Sequence, residues 1–314
     1  MALRMSAELY LCFPIREELQ PLLEGRYTVH CGNGLPEDLD EATCLRVRIL
    51  ITNGIRGASA ALMDCFPRLQ LIASLGIGVD AIDLPAAQAR GIAVTNTPGV
   101  VVDDVADLAI AQLIALRRRC TEAEIYLRSG QWTHAPFPLA HSATRLAVGI
   151  VGLGAIGTAI AERANACRMT VRWHGPRPKP NAPWPYEPDL HWLAQQSTAL
   201  IVACSGGADT RHLIGTSVLQ ALGPTGVLIN IARGSVVDTQ ALVQALESGA
   251  IAGAALDVFE HQPQVPQELL TLPNVRLTPH LGTATRETRG TMAQMVIESV
   301  EAYLAGQPLQ HRVI

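Results

Sequence analysis

The chain has 314 residues, of which 48% are hydrophobic and 17% charged, so a mainly disordered chain is excluded and two domains are expected. The formal net charge is −4, and the absence of a Lys/Arg run argues against a nucleic-acid partner. The seven cysteines are scattered without a C-x-x-C pair, which argues against disulfides and zinc. The apolar segment Val105–Leu116 is too short to span a bilayer, so we expect a cytoplasmic protein without a membrane partner.

The first part of the chain alternates short apolar runs with helical patterns. The segment Leu84–Arg90 predicts a short helix that ends at Gly91. The apolar runs predict four strands: Leu9–Cys12, Leu45–Thr52, Leu69–Ser74 and Ile92–Thr95. This alternation is typical of βαβ units and predicts a parallel sheet.

A second series of elements begins near residue 100. Its first helix is predicted over Val105–Arg128, capped by Asp103 and Asp104. The predicted strands are Arg145–Val151, Met169–His174, Ala199–Cys204, Val227–Ile231, Ile251–Leu256 and Val275–Thr278. The predicted helices are Ala155–Cys167, Thr216–Leu222 and Thr239–Gly249. The series indicates a doubly wound domain over residues 99–285.

The last helical pattern, Arg286–Leu304, follows the second series. After the second series, this helix can return to the first domain and pack against it. We therefore predict that residues 1–98 form an interrupted domain that residues 286–314 complete. The fold class is α/β, with two doubly wound parallel-sheet domains.

A glycine-rich turn lies between a predicted strand and a predicted helix. It reads Gly152-Leu153-Gly154-Ala155-Ile156-Gly157, the G-x-G-x-x-G pattern. Gly152 permits a tight turn, Gly154 lets the backbone approach a pyrophosphate, and Gly157 allows close packing of helix on strand. The free N–H groups of Ala155, Ile156 and Gly157 then face the phosphates. In this context we predict dinucleotide binding rather than an ordinary turn.

The segment after the next strand reads Arg172-Trp-His-Gly-Pro-Arg177-Pro-Lys179 and contains no carboxylate. A site for NAD(H) places Asp or Glu about 20 residues after the glycine turn, where it accepts hydrogen bonds from the ribose. Arg177 lies at that offset, and its charge and that of Lys179 suit a 2′-phosphate. We predict that NADP(H) is preferred over NAD(H), although both cations could also be solvated loop residues.

Three polar residues follow buried strands of the second domain. Arg233, Asp257 and His280 each lie at the carboxyl end of a predicted strand, where ligands of open α/β sheets bind. A guanidinium can hold a carboxylate with two bonds, and a histidine can move a proton near neutral pH. Taken alone, Arg233 could equally form a structural ion pair, and His280 would more often be a core or capping histidine.

The chain resembles the D-isomer-specific 2-hydroxyacid dehydrogenases over essentially its full length. The stretches that carry the resemblance are Gly76–Asp80, Thr95–Gly99, Asp104–Leu108, Gly152–Gly157, Asn230–Gly234, Leu256–Phe259 and Thr278–His280. The basic turn at Arg177 and the segment Gly130–Trp132 are similar to NADPH-dependent glyoxylate/hydroxypyruvate reductases and the related hydroxyphenylpyruvate reductases.

The resemblance implies a site in the cleft between a flavodoxin-like substrate domain and a Rossmann domain for NADP. It implies that a 2-keto acid is reduced to the D-2-hydroxy acid, with Arg233 holding the substrate and His280 donating the proton. Asp257 would accept a hydrogen bond from the nicotinamide carboxamide. The cofactor-binding set would be Gly152, Gly154, Ala155, Ile156, Gly157, Arg177, Lys179, Ile231, Ala232, Arg233, Asp257, His280 and Gly282.

The resemblance also suggests how the substrate is surrounded. The backbone amides of Gly76, Ile77 and Gly78 would bind its carboxylate, since amides next to glycine reach an anion easily. Trp132 resembles a residue that reaches across a homodimer to line the partner's site. It could equally be an interface or core tryptophan without substrate contact.

One position departs from the family pattern. The family has Glu-Pro after the Asp-Val-Phe strand end, where this chain has Gln262-Pro263. A glutamine can orient the imidazole of His280 but stabilises its cation less than a carboxylate does. Three interpretations follow: reductase activity shifted to lower pH, substitution by Glu260, or slow turnover. We favour the first, with Arg233, His280 and Gln262 as the catalytic set.

The alternative function is a non-catalytic dinucleotide sensor, like the corepressors of the same superfamily. Those proteins retain such residues too, so Arg233 and His280 do not by themselves decide between the two functions. The chain lacks a long polar tail and a basic DNA-binding segment, which favours the enzyme.

Overall fold

The computed structural model describes residues 7–314. The chain forms two compact units. The first unit contains the chain up to Val101 together with Ala284–Ile314, and the second contains Val102–Thr283. The sequence predicts these divisions after residues 98 and 285.

The strands and helices alternate along the described chain. The strands are β1 Glu8–Leu11, β2 Thr28–Cys31, β3 Val47–Asn53, β4 Leu71–Leu75, β5 Ala93–Thr95, β6 Ala147–Val151, β7 Thr170–His174, β8 Ala199–Val202, β9 Val227–Asn230, β10 Gly253–Leu256 and β11 Val275–Leu277. The helices are α1 Gln20–Leu23, α2 Glu41–Cys44, α3 Ala60–Asp64, α4 Leu84–Ala89, α5 Val102–Arg117, α6 Cys120–Arg128, α7 Ala155–Ala166, α8 Leu190–Gln195, α9 Thr216–Leu222, α10 Thr239–Glu247, α11 Gln267–Thr271 and α12 Arg286–Leu304.

The sheet of the first unit has the order β2-β1-β3-β4-β5, and its neighbouring strands are parallel. This is the flavodoxin-like order. Every residue of β4 is buried, because helices cover the sheet and a parallel strand then needs apolar side chains on both faces. Helix α12 packs against β4 and is capped by Thr285, whose hydroxyl accepts a hydrogen bond from the Thr288 N–H.

The sheet of the second unit has the order β11-β10-β9-β8-β6-β7, again with parallel neighbours. A single parallel bridge from Trp173 to Tyr186 extends it beyond β7. The chain leaves β6 first toward β7 and later toward β8 on the other side. The carboxyl ends of β6 and β8 therefore flank the switch point at which open α/β sheets bind ligands. Both units confirm the predicted fold class.

The long helix predicted over Val105–Arg128 is wrong in two respects. The chain breaks between α5 and α6 at Arg119, whose φ of +52° is left-handed and whose guanidinium lies over the Phe137 ring. Arginine favours helices, so the sequence carries no signal for this break. The helix also starts at Val102, so Asp103 and Asp104 lie in its first turn rather than at its cap. Asp103 there accepts a hydrogen bond from Arg163 of α7.

The sequence analysis missed the edge strand β2 and several short helices. Strand β2 is only partly buried, so it lacks the apolar run that marks the interior strands. Among residues 7–314, no helix combines the length and the apolar character needed to cross a membrane.

Candidate active site

The glycine turn after β6 is restricted by its own neighbours. Gly152 has a φ of +98°, and a Cβ there would lie 2.6 Å from the Cα of Cys204, just after β8. A Cβ on Gly157 would lie 2.0 Å from the Gly152 oxygen, so α7 packs directly on the turn. Burial raises the pKa of the Cys204 thiol to about 11, which keeps this neighbour uncharged at neutral pH. Both glycines are thus required by packing.

Gly154 is different, because its surroundings are open. It is exposed, it precedes α7, and a Cβ at this position would meet no atom within 4 Å. Ala155, Ile156 and Gly157 form the first turn of the 12-residue helix α7, where N–H groups have no acceptor within the helix. Such a turn carries a partial positive charge. The residues present fit the pyrophosphate of a dinucleotide.

The basic segment after β7 returns to this turn. Lys179 Nζ donates a hydrogen bond to the backbone oxygen of Leu153, inside the glycine turn, at 2.5 Å. Arg177 lies two residues earlier and is exposed. Lys179 therefore places a cation beside the turn, and the segment Arg172–Lys179 contains no carboxylate.

Arg233 is held at the carboxyl end of β9 by a compact turn. Asn230 Nδ2 donates to the Arg233 oxygen at 3.0 Å, and the Ala232 N–H donates to Asn230 Oδ1 at 3.1 Å. Ile231 and Ala232 are buried, whereas Arg233 is half-buried. Nη1 of Arg233 donates to the Ala232 oxygen at 2.8 Å. The guanidinium is thereby tied to its own turn at the sheet edge.

Asp257 orders the segment that carries His280. This carboxylate lies at the end of β10, is 2% exposed, and accepts hydrogen bonds from Thr278 Oγ1 (2.6 Å), Leu281 N (2.7 Å) and Gly282 N (2.9 Å). The His280 N–H donates to the Asp257 backbone oxygen at 3.0 Å. A carboxylate offers about four acceptor positions, so a further donor can be accepted.

His280 and Gln262 meet as the sequence predicts for a histidine and its orienting residue. Gln262 Nε2 lies 3.1 Å from His280 Nδ1, and Gln262 Oε1 accepts from the Phe259 N–H at 3.5 Å. The side-chain amide carries both a donor and an acceptor, so it can orient the imidazole in either protonation state.

Glu260 does not replace Gln262. Its Oε1 accepts from His212 Nε2 at 2.8 Å and from Arg211 Nη2 at 3.2 Å, and its Oε2 accepts from Thr239 Oγ1 at 3.1 Å. Burial alone would raise the pKa of this carboxyl, but the hydrogen bonds from His212 and Thr239 outweigh it, and the pKa lies below its usual value. The structure contradicts the interpretation in which Glu260 turns toward His280.

In the first unit, the predicted carboxylate-binding loop follows β4. The Gly76 N–H donates to Thr97 Oγ1 at 3.0 Å, so this amide already has an acceptor in its own unit. The N–H groups of Ile77 and Gly78 donate to no acceptor within residues 7–314. Asn96 Nδ2 donates to the Ile77 oxygen at 2.8 Å and steadies the loop. The backbone N–H groups of Ile77 and Gly78 are therefore the ones in this loop that can donate hydrogen bonds to an anion.

Trp132 lies on an exposed apolar arm of the second unit. The arm begins with α6, continues through the short 3₁₀ turn Gln131–Thr133, and exposes large apolar side chains. Their exposed fractions are 61% for Ile125, 56% for Leu127, 65% for Trp132 and 98% for Leu139. Such a concentration is typical of an interaction surface.

The sequence analysis also missed a polar support beneath Asp257. Gln112 of α5 is 3% exposed, donates to Thr278 Oγ1 at 3.0 Å and accepts from Arg276 Nε at 3.0 Å. A glutamine within an apolar helix was the available signal, because a buried amide needs partners. No group of three or more His, Cys, Asp or Glu in the described chain is placed to hold a metal ion.

Comparison with known proteins agrees with this geometry. The model of the family described as D-isomer specific 2-hydroxyacid dehydrogenase, NAD binding domain, matches residues 110–282. Glyoxylate/hydroxypyruvate reductase A of Arabidopsis thaliana is 43% identical over 98% of this chain and 98% of its own. The chain belongs to this family. It is therefore an oxidoreductase, and the predicted family membership is confirmed.

Two further reductases are similar to most of this chain. Hydroxyphenylpyruvate reductase of Plectranthus scutellarioides is 44% identical over 85% of this chain and 86% of its own. The NADPH-dependent glyoxylate/hydroxypyruvate reductase of Sinorhizobium meliloti, solved in complex with NADP and malonate, superposes with a TM-score of 0.92. It is 38% identical over 98% of this chain and 96% of that chain.

Proposed function

We propose that the protein uses NADPH to reduce a small 2-keto acid, such as glyoxylate, hydroxypyruvate or an aryl pyruvate, to the D-2-hydroxy acid. The observation that carries this proposal is the contact between Gln262 and His280, on the same unit as the open glycine turn. The names of the relatives, which are 2-keto acid reductases, support it.

The residues of the second unit then have distinct roles. The turn at Gly152, Gly154 and Gly157 binds the pyrophosphate, Ile231, Ala232 and Gly282 line the dinucleotide, and Asp257 accepts from the carboxamide. The bound nicotinamide supplies the hydride. Arg233 holds the carboxylate and keto oxygen of the substrate, and its fixed charge favours the developing alkoxide. His280 gives a proton to that oxygen, and Gln262 keeps the imidazole oriented.

Two further parts of the site lie outside this set. The Ile77 and Gly78 amides, with no acceptor in the described chain, would bind the substrate carboxylate. The apolar arm around Trp132 would cover the corresponding arm region of a second copy, giving a homodimer in which Trp132 lines the partner's site. A monomeric mass in solution would contradict this arrangement.

The function is tested by following the near-ultraviolet absorbance of NADPH as each 2-keto acid is added to the purified protein. We expect oxidation of NADPH with at least one of glyoxylate, hydroxypyruvate and 4-hydroxyphenylpyruvate. Binding of NADPH without oxidation by any 2-keto acid would instead indicate a dinucleotide sensor.

The preference for NADPH is tested at Arg177. The R177A variant is expected to lower kcat/KM for NADPH about tenfold or more, because a hydrogen bond to a charged group contributes about 1.5–3 kcal/mol. Activity with NADH should stay near the wild-type value. The matched control is R172A, which removes an exposed arginine of β7 that lies over the Trp192 ring. An equal loss with both cofactors would contradict the 2′-phosphate role.

The glutamine beside His280 sets the pH dependence of reduction. In the Q262E variant the imidazolium gains a carboxylate partner at Nδ1, so the protonated acid persists to higher pH. We expect the alkaline limb of the kcat/KM profile to move upward by about one pH unit or more. The control Q264E adds the same charge two residues away and should leave the limb in place. An unmoved limb in Q262E would contradict this role.

A further inference from the structure

The carboxylate of Glu260 joins three loops of the second unit. Its partners are His212 and Arg211 in the loop before α9 and Thr239 at the start of α10. The loop of His212 is in turn bonded to the segment after Arg233, since the His212 N–H donates to the Ser235 oxygen at 2.8 Å. One side chain thus connects the loops that follow β8, β9 and β10.

The Glu260 carboxylate itself is largely shielded from solvent. The Glu260 side chain is 12% exposed, and His212 Nδ1 also lies 3.9 Å from Asp238 Oδ2. A Cβ on Gly234 would lie 1.9 Å from the Phe259 carbonyl carbon and 2.2 Å from the Glu260 nitrogen. The peptide between Phe259 and Glu260 therefore packs directly on the residue after Arg233. Movement of this peptide would displace both segments.

The same peptide determines where the Gln262 amide points. The Phe259 N–H donates to Gln262 Oε1, and this contact turns Gln262 Nε2 toward His280. Glu260 lies between these two residues in sequence and is the one whose side chain is anchored to neighbouring loops. The hydrogen bonds of Glu260 therefore help to set the geometry of the contact between Gln262 and His280, on which proton transfer depends.

We propose that Glu260 is a positioning residue of the reductase, holding the segment Phe259–Gln262 so that the Gln262 amide meets His280. This inference rests on the proposed function. The carboxylate is bonded to Arg211, His212 and Thr239, none of which belongs to the glycine turn, so its effect is on the proton-transfer step and not on dinucleotide binding. A misplacement of about 1 Å far from the chemistry can cost about a hundredfold in rate.

The test is a double-mutant cycle between Glu260 and Gln262. E260Q is expected to lower kcat about tenfold and to leave KM for NADPH near the wild-type value. In a Q262A background, E260Q is expected to cause no further loss of kcat, because the amide that it positions is gone. Glu260 and Thr239 border a cavity that Glu268 also lines, and E268Q, which removes that second carboxylate, should leave kcat unchanged.

Two outcomes of the cycle would overturn the proposal. One is an equal fold loss of kcat from E260Q with and without Gln262. The other is a loss that appears only as a higher KM for NADPH. If E260Q does not fold, T239V takes its place, since it removes only the bond to Oε2 and should lower kcat in the same direction, again only when Gln262 is present.

A measurement without turnover separates this proposal from the proposed function. With ¹⁵N-labelled histidine, the His280 Nδ1 resonance is identified by its loss in H280N. We expect E260Q to shift that resonance in the direction produced by Q262A, even if no 2-keto acid is reduced. An unshifted Nδ1 resonance in E260Q would overturn the positioning role, whereas a lack of reductase activity would overturn only the function.

Discussion

The H280N variant is expected to lower kcat for the reduction of 2-keto acids by about 10²–10⁴-fold, the usual contribution of a positioned acid. Asparagine has no proton that titrates near neutral pH. His280 adopts a left-handed φ of +55°, and asparagine tolerates this conformation better than alanine. The turn that Asp257 orders should therefore persist, and KM for NADPH should stay close to that of the wild type.

The matched control for this variant is H311N. His311 also has a left-handed φ, of +53°, and lies in the first unit near the end of the chain. H311N makes the same chemical change at the same kind of backbone position, and we expect full kcat from it. Steady-state kinetics across the pH range would decide the question. If H280N kept the kcat and the pH profile of the wild type, His280 would not be the proton donor.

The elements that the sequence predicted best have strong local signals. Helices α9 and α12 begin and end where the pattern placed them, at Thr216–Leu222 and Arg286–Leu304. Gly223 caps the carboxyl end of the first helix and Thr285 caps the start of the second, and both caps act within one turn. The break at Arg119 depends instead on its contact with Phe137, 18 residues later, which no local pattern shows.

The site was predictable to the extent that topology determines it. Parallel strands bring their carboxyl ends to one sheet edge, which is why Arg233, Asp257 and His280 could be grouped from sequence. The partners of Glu260 could not be predicted, because His212 lies in a loop and Thr239 at the start of α10, and their approach to Glu260 depends on contacts across the domain. The bond of the Gly76 amide to Thr97 was hidden for the same reason.

Alanine substitutions at two glycines of the cofactor turn should affect different properties: G157A the thermal stability of the protein, and G154A its affinity for NADPH. G157A places a methyl group 2.0 Å from the Gly152 oxygen, so backbone must move. Overpacking of this kind costs about 1–3 kcal/mol, and we expect a lower Tm even without cofactor. G154A has an ordinary φ of −75° and no neighbour within 4 Å, so its Tm without cofactor should match the wild type.

The effect of G154A should appear only when NADPH is added. Its methyl group lies where the pyrophosphate approaches the first turn of α7. Losing one charge-assisted hydrogen bond there costs about 1.5–3 kcal/mol of NADPH binding free energy. We expect the Kd for NADPH to rise about tenfold or more, measured by titration calorimetry. Wild-type affinity in G154A would place the pyrophosphate elsewhere. A lower Tm of the cofactor-free variant would instead show that Gly154, like Gly157, is required by packing.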